Sequence, residues 1–306
     1  DDDLIPGPNN DPKDPFVPEG LAVPWKWVPG NHDFLVQGNA VVNDVKVDAA
    51  IGDFAPYGTR DYSRGGPVVQ SPIVADPRRR PLIPREIIDR MARDGDGHGV
   101  TVAQASTDSG TYFFDVPETQ VRFLVIDTAS KTGGAGAVVR RSDFERAIRP
   151  TLDSALAQGK WVIVLSDSPI DNFGQAEKPF GVDVPDPLTQ SDWLREIDRY
   201  PNLLFMLGRG SDQYVHPVKT ASGRAFWELL NAAMSDYPQQ LRIFELWDGG
   251  NGFLMLRATC VDVATDDDPL TREAQRRAVV DITSTWMGGA GDVDGMRNVE
   301  LWIRKP

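Results

Sequence analysis

Val121-Arg122-Phe123-Leu124-Val125-Ile126 is an almost unbroken apolar run that ends in Asp127. A short run of this kind, with no polar alternation, reads as a strand buried on both faces of a parallel sheet. Downstream, Ser142-Asp143-Phe144-Glu145 places a glutamate three residues after a serine, the pattern of a capping box. Phe144, Ile148, Leu152 and Leu156 follow at helical spacing, and Pro150 predicts a kink or a short first segment. Residues 161–165, Trp-Val-Ile-Val-Leu, form the next buried strand; 191–200 read as a helix stopped by Pro201, and 203–207 as a third strand. Strands alternating with helices imply parallel pairing through right-handed crossovers, and so an α/β fold.

Beyond this series the pattern turns to strand at 225–230, 241–247 and 253–258, the last two joined through Asp248-Gly249-Gly250-Asn251-Gly252 as a hairpin. Residues 269–280 look helical, and 298–303 read as a terminal strand. Upstream, residues 1–20 are rich in Pro, Asp and Asn and read as an extended arm, while 21–28 look strand-like. Residues 38–120 form an irregular, insertion-rich part with one helix at 84–93, opened by Pro84. No linker divides the rest, so 21–306 read as one domain, with 121–306 as its α/β core and C-terminal strands.

A chain of 306 residues with 41% hydrophobic side chains can bury a sizeable core. The net charge of -13 argues against a nucleic-acid or anionic-membrane partner. With Cys260 as the lone cysteine, no intrachain disulfide can form. No apolar run approaches the roughly 20 residues of a membrane span, and none has the shape of a signal peptide. The start at Asp1, without Met, reads as a trimmed product and points to export, with a secreted, periplasmic or cell-surface location.

In open parallel sheets ligands gather at the carboxyl ends of the strands. That rule selects Asp127-Thr128, Ser166-Asp167-Ser168-Pro169 and Gly208-Arg209-Gly210-Ser211, to which Gly30-Asn31-His32-Asp33 adds a fourth loop. Asp127 and Asp167 could act as an acid/base pair or fix their loops. Ser166 and Ser168 lack the elbow of a serine hydrolase. Asp94-Gly95-Asp96-Gly97-His98-Gly99 opens like a calcium loop but has no glutamate at the required offset. His216, before Pro217, reads as a surface or loop residue, and Cys260 as core. Arg78-Arg79-Arg80 beside Asp76, Glu86 and Asp89 reads as an ion-pair network, and Gly133-Gly134-Ala135-Gly136 as a flexible loop.

Gly30-Asn31-His32-Asp33 resembles the Gly-Asn-His-Asp turn of calcineurin-like metallophosphoesterases. The likeness extends over essentially the whole chain. Residues 121–128 resemble that family's strand ending in Leu-Asp-Thr, 161–169 its strand ending in Ser-His-His, and 203–211 its strand ending in Gly-His-x-His. Ala225-Phe226-Trp227-Glu228, Asp236-Tyr237-Pro238-Gln239-Gln240 with Arg242 and Glu245, and Arg297-Asn298-Val299-Glu300-Leu301 resemble one bacterial, typically exported subgroup. Asp76-Pro77-Arg78-Arg79-Arg80 and Gly97-His98-Gly99 fit it too.

The resemblance implies a sandwich of mixed sheets flanked by helices. It also implies Asn31 as a metal ligand and His32 as the acid beside the scissile phosphate; without metals, His32 is expected to hold its loop by hydrogen bonds, oriented by Asp33. The chain departs from the pattern at the ligands. Asp167 stands at a metal-binding His position, Arg209 and Ser211 replace the two His of Gly-His-x-His, and the two earliest family motifs, with their first strands, are missing. A fixed guanidinium about 4 Å from a unit positive charge is disfavoured by about 4 kcal/mol at an effective dielectric near 20, and a dication doubles this. Pairing of Asp167 with Arg209 across the old site is therefore expected, or else an anion clamp built on Arg209 and His32. The expected function is that of a pseudoenzyme without cofactor, with a binding or structural role in an assembly with a protein partner or in a homo-oligomer. The competing expectation is an active phosphoesterase using Mn, Fe, Zn, Mg or Ca at Asn31 and Asp167, completed by an N-terminal fragment or partner chain.

Overall fold

The computed structural model describes residues 20–53, 59–60, 68–69, 75–210, 213–266, 268–284 and 294–306. In chain order the elements begin with α1 (Asn31–Phe34), α2 (Asp44–Ile51), a small ribbon of β1 (Thr59–Arg60) and β2 (Val68–Val69), α3 (Pro84–Arg93) and α4 (Val102–Ala105). The main body follows with β3 (Tyr112–Asp115), β4 (Val121–Val125), α5 (Arg141–Asp143), α6 (Arg149–Ala157), β5 (Trp161–Leu165), α7 (Gln190–Ile197) and β6 (Leu203–Arg209). It closes with β7 (Tyr214–Lys219), β8 (Ala225–Asn231), β9 (Gln240–Asp248), β10 (Phe253–Asp262), α8 (Pro269–Ser284), α9 (Asp294–Arg297) and β11 (Asn298–Arg304).

A six-stranded mixed sheet, ordered β3-β4-β5-β6-β8-β7, faces a three-stranded antiparallel sheet, ordered β11-β10-β9. The run at 121–126 is the hinge of this arrangement. β4 pairs parallel with β5, β5 with β6 and β6 with β8, as alternating strands and helices require. Along β4 and β5 successive side chains go to opposite faces. Leu124, Val162 and Val164 meet Ile148, Leu152, Trp193 and Ile197 of the helical layer, whereas Val121, Phe123, Trp161 and Ile163 face the small sheet and its Leu254, Leu256 and Leu301. Burial on both faces explains why these strands carry no polar alternation.

The capping box expected at Ser142 and Glu145 is not formed. Asp186 instead accepts the Ser142 N–H at 3.0 Å and the Arg140 Nε at 2.8 Å, so a carboxylate from a distant loop caps the helix start. The break expected at Pro150 appears as a π-helical turn over Phe144–Ile148, inserted just before the proline. One extra residue in that turn accommodates the missing amide without bending α6 away from the sheet.

Other expectations need revision. Residues 21–28 form no strand; they bend at 22–23 and are tied by the Trp27 N–H to the His98 carbonyl at 3.0 Å. The irregular part contains α2 and α4 besides the expected α3, and β3 lies at its end. Gly133 and Gly134 are packed closely against another loop: a Cβ on Gly133 would lie 2.4 Å from the Phe180 carbonyl oxygen, and one on Gly134 2.3 Å from that of Glu177. Cys260 is half-buried on the small sheet rather than in a core. The arm expected at 1–20 lies outside the described residues except for Gly20. Among the described residues no helix is long and apolar enough to cross a membrane.

Candidate functional site

Four loops meet at the carboxyl ends of β4, β5 and β6, where helix and loop backbones diverge. The first is the one-turn helix α1, capped by Gly30. Asp33 closes that turn by accepting the Gly30 N–H at 2.8 Å. Asn31 is buried, and its Nδ2 donates to the Gly38 carbonyl at 2.8 Å. The amide orientation is thereby set, leaving Oδ1 to face Arg209 at the end of β6, whose Nη2 lies 3.4 Å away.

Asp167, just past β5, is the junction of the site. Arg209 Nε donates to its Oδ1 at 2.9 Å, and the Asn31 N–H points to its Oδ2 at 3.4 Å. The carboxylate lies directly over Gly30, where an added Cβ would come 2.5 Å from the Asp167 Cγ. Gly30 has an ordinary extended φ of -133°, so glycine is required there by close approach rather than by backbone strain. Gly30→Ala is expected to cost about 1–3 kcal/mol by overpacking. Urea unfolding of a double-mutant cycle checks this. The cost should largely vanish in an Asp167→Ala background, where nothing remains for the methyl group to strike.

Asp127, at the end of β4, is neutralised separately. Lys131 Nζ lies 2.6 Å from both of its carboxylate oxygens, and the amides of Gly110 and Ala129 donate to it at 2.8 and 3.2 Å. The same ammonium sits 4.2 Å above the Phe34 ring, which fastens this loop to α1. Asp127 thus fixes two loops and is spoken for as an acid or base. Lys131 carried no separate sequence signal beyond standing four residues after Asp127. Asp33 feels both neighbours: although it reaches solvent, its carboxyl is pushed above the ordinary aspartate range, first by lost hydration and then by the charges of Asp167 and Asp127.

The remaining candidates lie apart from this cluster or are otherwise engaged. His32 is exposed, and its ring edge rests against Gly38. Asp33 is turned to Gly30 instead of orienting that ring. Ser166 donates its hydroxyl to the Ser168 carbonyl at 2.5 Å, and both serines are buried. Ser211 lies outside the described residues. His98 is buried, stacks on Trp25 with ring centroids 3.4 Å apart, and has Asp94 and Asp96 oxygens 3.3 and 3.0 Å from its two ring nitrogens. The acids that resembled a calcium loop are therefore taken up by an imidazole. Arg78 and Arg80 pair with Asp76 and Glu86, whereas Arg79 donates to the Ala50 and Gly52 carbonyls and Asp89 pairs with Arg93, so the expected network forms only in part.

A divalent ion does not fit the arrangement at the rim. The oxygen atoms of Asn31 and Asp167 that would ligate it are both turned to one guanidinium, and Arg209 cannot deprotonate to yield its place. Among the described residues no group of three or more His, Cys, Asp or Glu side chains is arranged to hold a metal ion.

One buried ionisable group outside the rim escaped the sequence reading. Glu228 of β8 is fully buried on the helical side of the sheet, accepts the Ile170 N–H at 2.9 Å, and has His216 Nε2 3.1 Å from its other oxygen. His216 is thus an edge-strand residue rather than a loop residue. Burial pushes the Glu228 carboxyl up to about 7.

No family model matches this chain, and no curated protein is significantly similar to it.

Proposed function

We propose that this α/β protein is a calcineurin-like metallophosphoesterase sandwich in which internal ion pairs replace the metal centre, leaving a binding or structural role in a protein assembly. One observation carries the reading: Arg209 Nε lies 2.9 Å from Asp167 Oδ1, with Asn31 Oδ1 on the same guanidinium. Phosphoester hydrolysis on this scaffold needs cations to hold the phosphate and generate hydroxide. Here the permanent charge of Arg209 occupies the space between the two oxygen ligands, and Lys131 does the same service for Asp127. Asp127 and Asp167 are thus each paired with a cation from the chain itself. The resemblance to a typically exported subgroup favours a secreted, periplasmic or surface-bound component.

The test pairs elemental analysis with an activity assay. Purified protein should contain far less than one transition metal per chain. Aryl phosphate hydrolysis with added Mn should stay at background and be unchanged in His32→Ala. Metal-dependent turnover that disappears in His32→Ala would return the chain to the hydrolases.

A further inference from the structure

The loop between β5 and α7 turns its tip outward. Phe180 and Val182 are 59% and 64% exposed, yet the loop beneath them is built without slack. The Val182 N–H donates to the Thr132 carbonyl at 3.2 Å, the Thr132 hydroxyl donates to the Val182 carbonyl at 2.5 Å, and the Gly181 N–H donates to the Glu177 carbonyl at 2.8 Å. A Cβ on Gly181 would stand 2.5 Å from that of Ala176 and 2.6 Å from the Gly133 carbonyl oxygen. Apolar side chains on so closely packed a loop form a rigid knob, and a rigid knob loses little conformational entropy when something covers it.

A recess lies beside the knob. It has a volume of about 330 Å³ and is lined by Leu35, Val36, Val42, Pro81, Leu82 and Ile87, with Asp33 as its charged member. The turn at 36–40 joins the two features: Val36 bridges to Ala40, and the Gly134 N–H donates to the Asn39 carbonyl at 2.7 Å. The Asn39 and Phe180 carbonyl oxygens both press on Gly133, 3.2 and 2.4 Å from the place of a Cβ. Next to the recess, Val41 and, on α2, Val45 are exposed as well, and α2 buries none of its side chains.

We infer that this surface is the interface of a twofold dimer, in which Phe180 of each copy seats in the recess of the other. The inference rests on the assembly role proposed above and deepens it by naming a second copy of the chain as the partner. Two observations select that occupant. First, protrusion and hollow lie side by side, so one face is complementary to itself, as a twofold interface must be. Phe180 does not fill the recess of its own chain, since more than half of it stays exposed. Second, the size fits. A recess of 330 Å³ stands at the foot of the range of about 300–1,000 Å³ found for small-molecule sites, and suits one aromatic ring better than a ligand. An enclosed aromatic side chain buries about 150–250 Å², and anchors of this kind in pockets dominate interface energies. A bilayer would take the knob but leave the hollow unfilled.

Sedimentation equilibrium of the 306-residue chain tests the inference, at about 0.15 M salt, where repulsion between two acidic copies reaches only about 8 Å. The parent chain should dimerise. Phe180→Ser removes the knob from an exposed tip without touching a core. Each dimer then loses two contacts, so affinity should fall roughly a hundredfold or more. Val42→Arg fills the recess instead and should have the same effect. Mixed in equal amounts, the two variants should associate where neither does alone, since the knob of one meets the intact recess of the other. Phe180→Ser decides the question even if Val42→Arg loses its fold. A parent chain that stays monomeric at sub-millimolar concentration, a dimer equally tight in Phe180→Ser, or folded variants that ignore each other when mixed would each overturn the inference. So would a monomer that pellets with phosphatidylcholine vesicles through Phe180. The proposed function is judged apart: a dimer that hydrolyses aryl phosphate sinks only the metal-free reading, and an inert, metal-free monomer sinks only the dimer.

Discussion

Trp193→Ala is expected to lower stability by about 3–5 kcal/mol, the largest single-residue effect anticipated in this molecule. Trp193 has no exposed surface and joins α7 to the helical side of the sheet. Its indole meets Phe144 and Phe173 edge to face, with centroids 5.9 and 5.4 Å apart. Removing it leaves a cavity beneath the helix that follows β5, and with it loosens the frame that aims Asp167 and Arg209. Thermal unfolding should fall by on the order of 10 °C. A companion variant sharpens the test. The indole N–H finds no acceptor in its pocket, and an unsatisfied buried donor costs about 1–3 kcal/mol. Trp193→Phe should therefore be far milder than its lost area suggests. A Phe variant as damaging as Ala would show that shape, rather than area and polarity, governs this core.

The second large effect is a dependence of stability on pH centred on Glu228. Its folded carboxyl is pushed up to about 7 from an ordinary value of 4.5, because burial disfavours the charge. The folded state therefore holds a proton that the unfolded chain releases above 4.5. Stability from this group is complete below that value and declines as pH rises through about 7, by about 3 kcal/mol at 1.36 kcal/mol per unit. His216 Nε2 lies 3.1 Å from one carboxylate oxygen, and the carboxyl is wholly enclosed while the imidazole is a quarter exposed. Glu228→Gln keeps an acceptor for the Ile170 N–H and removes the titration. Urea midpoints at pH 5 and pH 8 should differ clearly for the parent chain and much less for the variant, which should be the more stable protein at pH 8. Equal pH slopes in the two proteins would assign the dependence elsewhere.

The parts of the fold legible in the sequence are those where burial leaves no choice of residue. β4, β5 and β6 are buried on both faces, and their bounds fall within a residue or two of those the apolar runs predict. α3 was bounded correctly by its opening Pro84. β7 was missed because it lies at the edge of the sheet, where one side needs neither apolar residues nor amide donors; hence His216 and Pro217 are tolerated there. β3, also at an edge, spans only four residues. α2 buries none of its side chains and so has no periodicity to read. At the rim, the rule of strand ends selected the loops of Asp127, Asp167 and Arg209, since topology fixes where strands finish; Asn31, on α1, entered through its turn motif and joins them in space. The roles of Lys131 and Gly30 depend on how neighbouring loops approach in space, which spacing along the chain does not encode.

Among the described residues β9 pairs with β10 alone, which carries a further consequence. An unpaired strand is a template for identical copies, and Ile243 and Trp247 on its outer face would reward such stacking. The charge of -13 works against that outcome, because any two copies repel before their edges align. Ions shorten the reach of this repulsion to about 8 Å at physiological strength and to about 3 Å at molar salt. Association that rises with salt is thus the expected behaviour, because concentrated salt lowers the barrier that keeps one molecule's strand from becoming the next one's sheet.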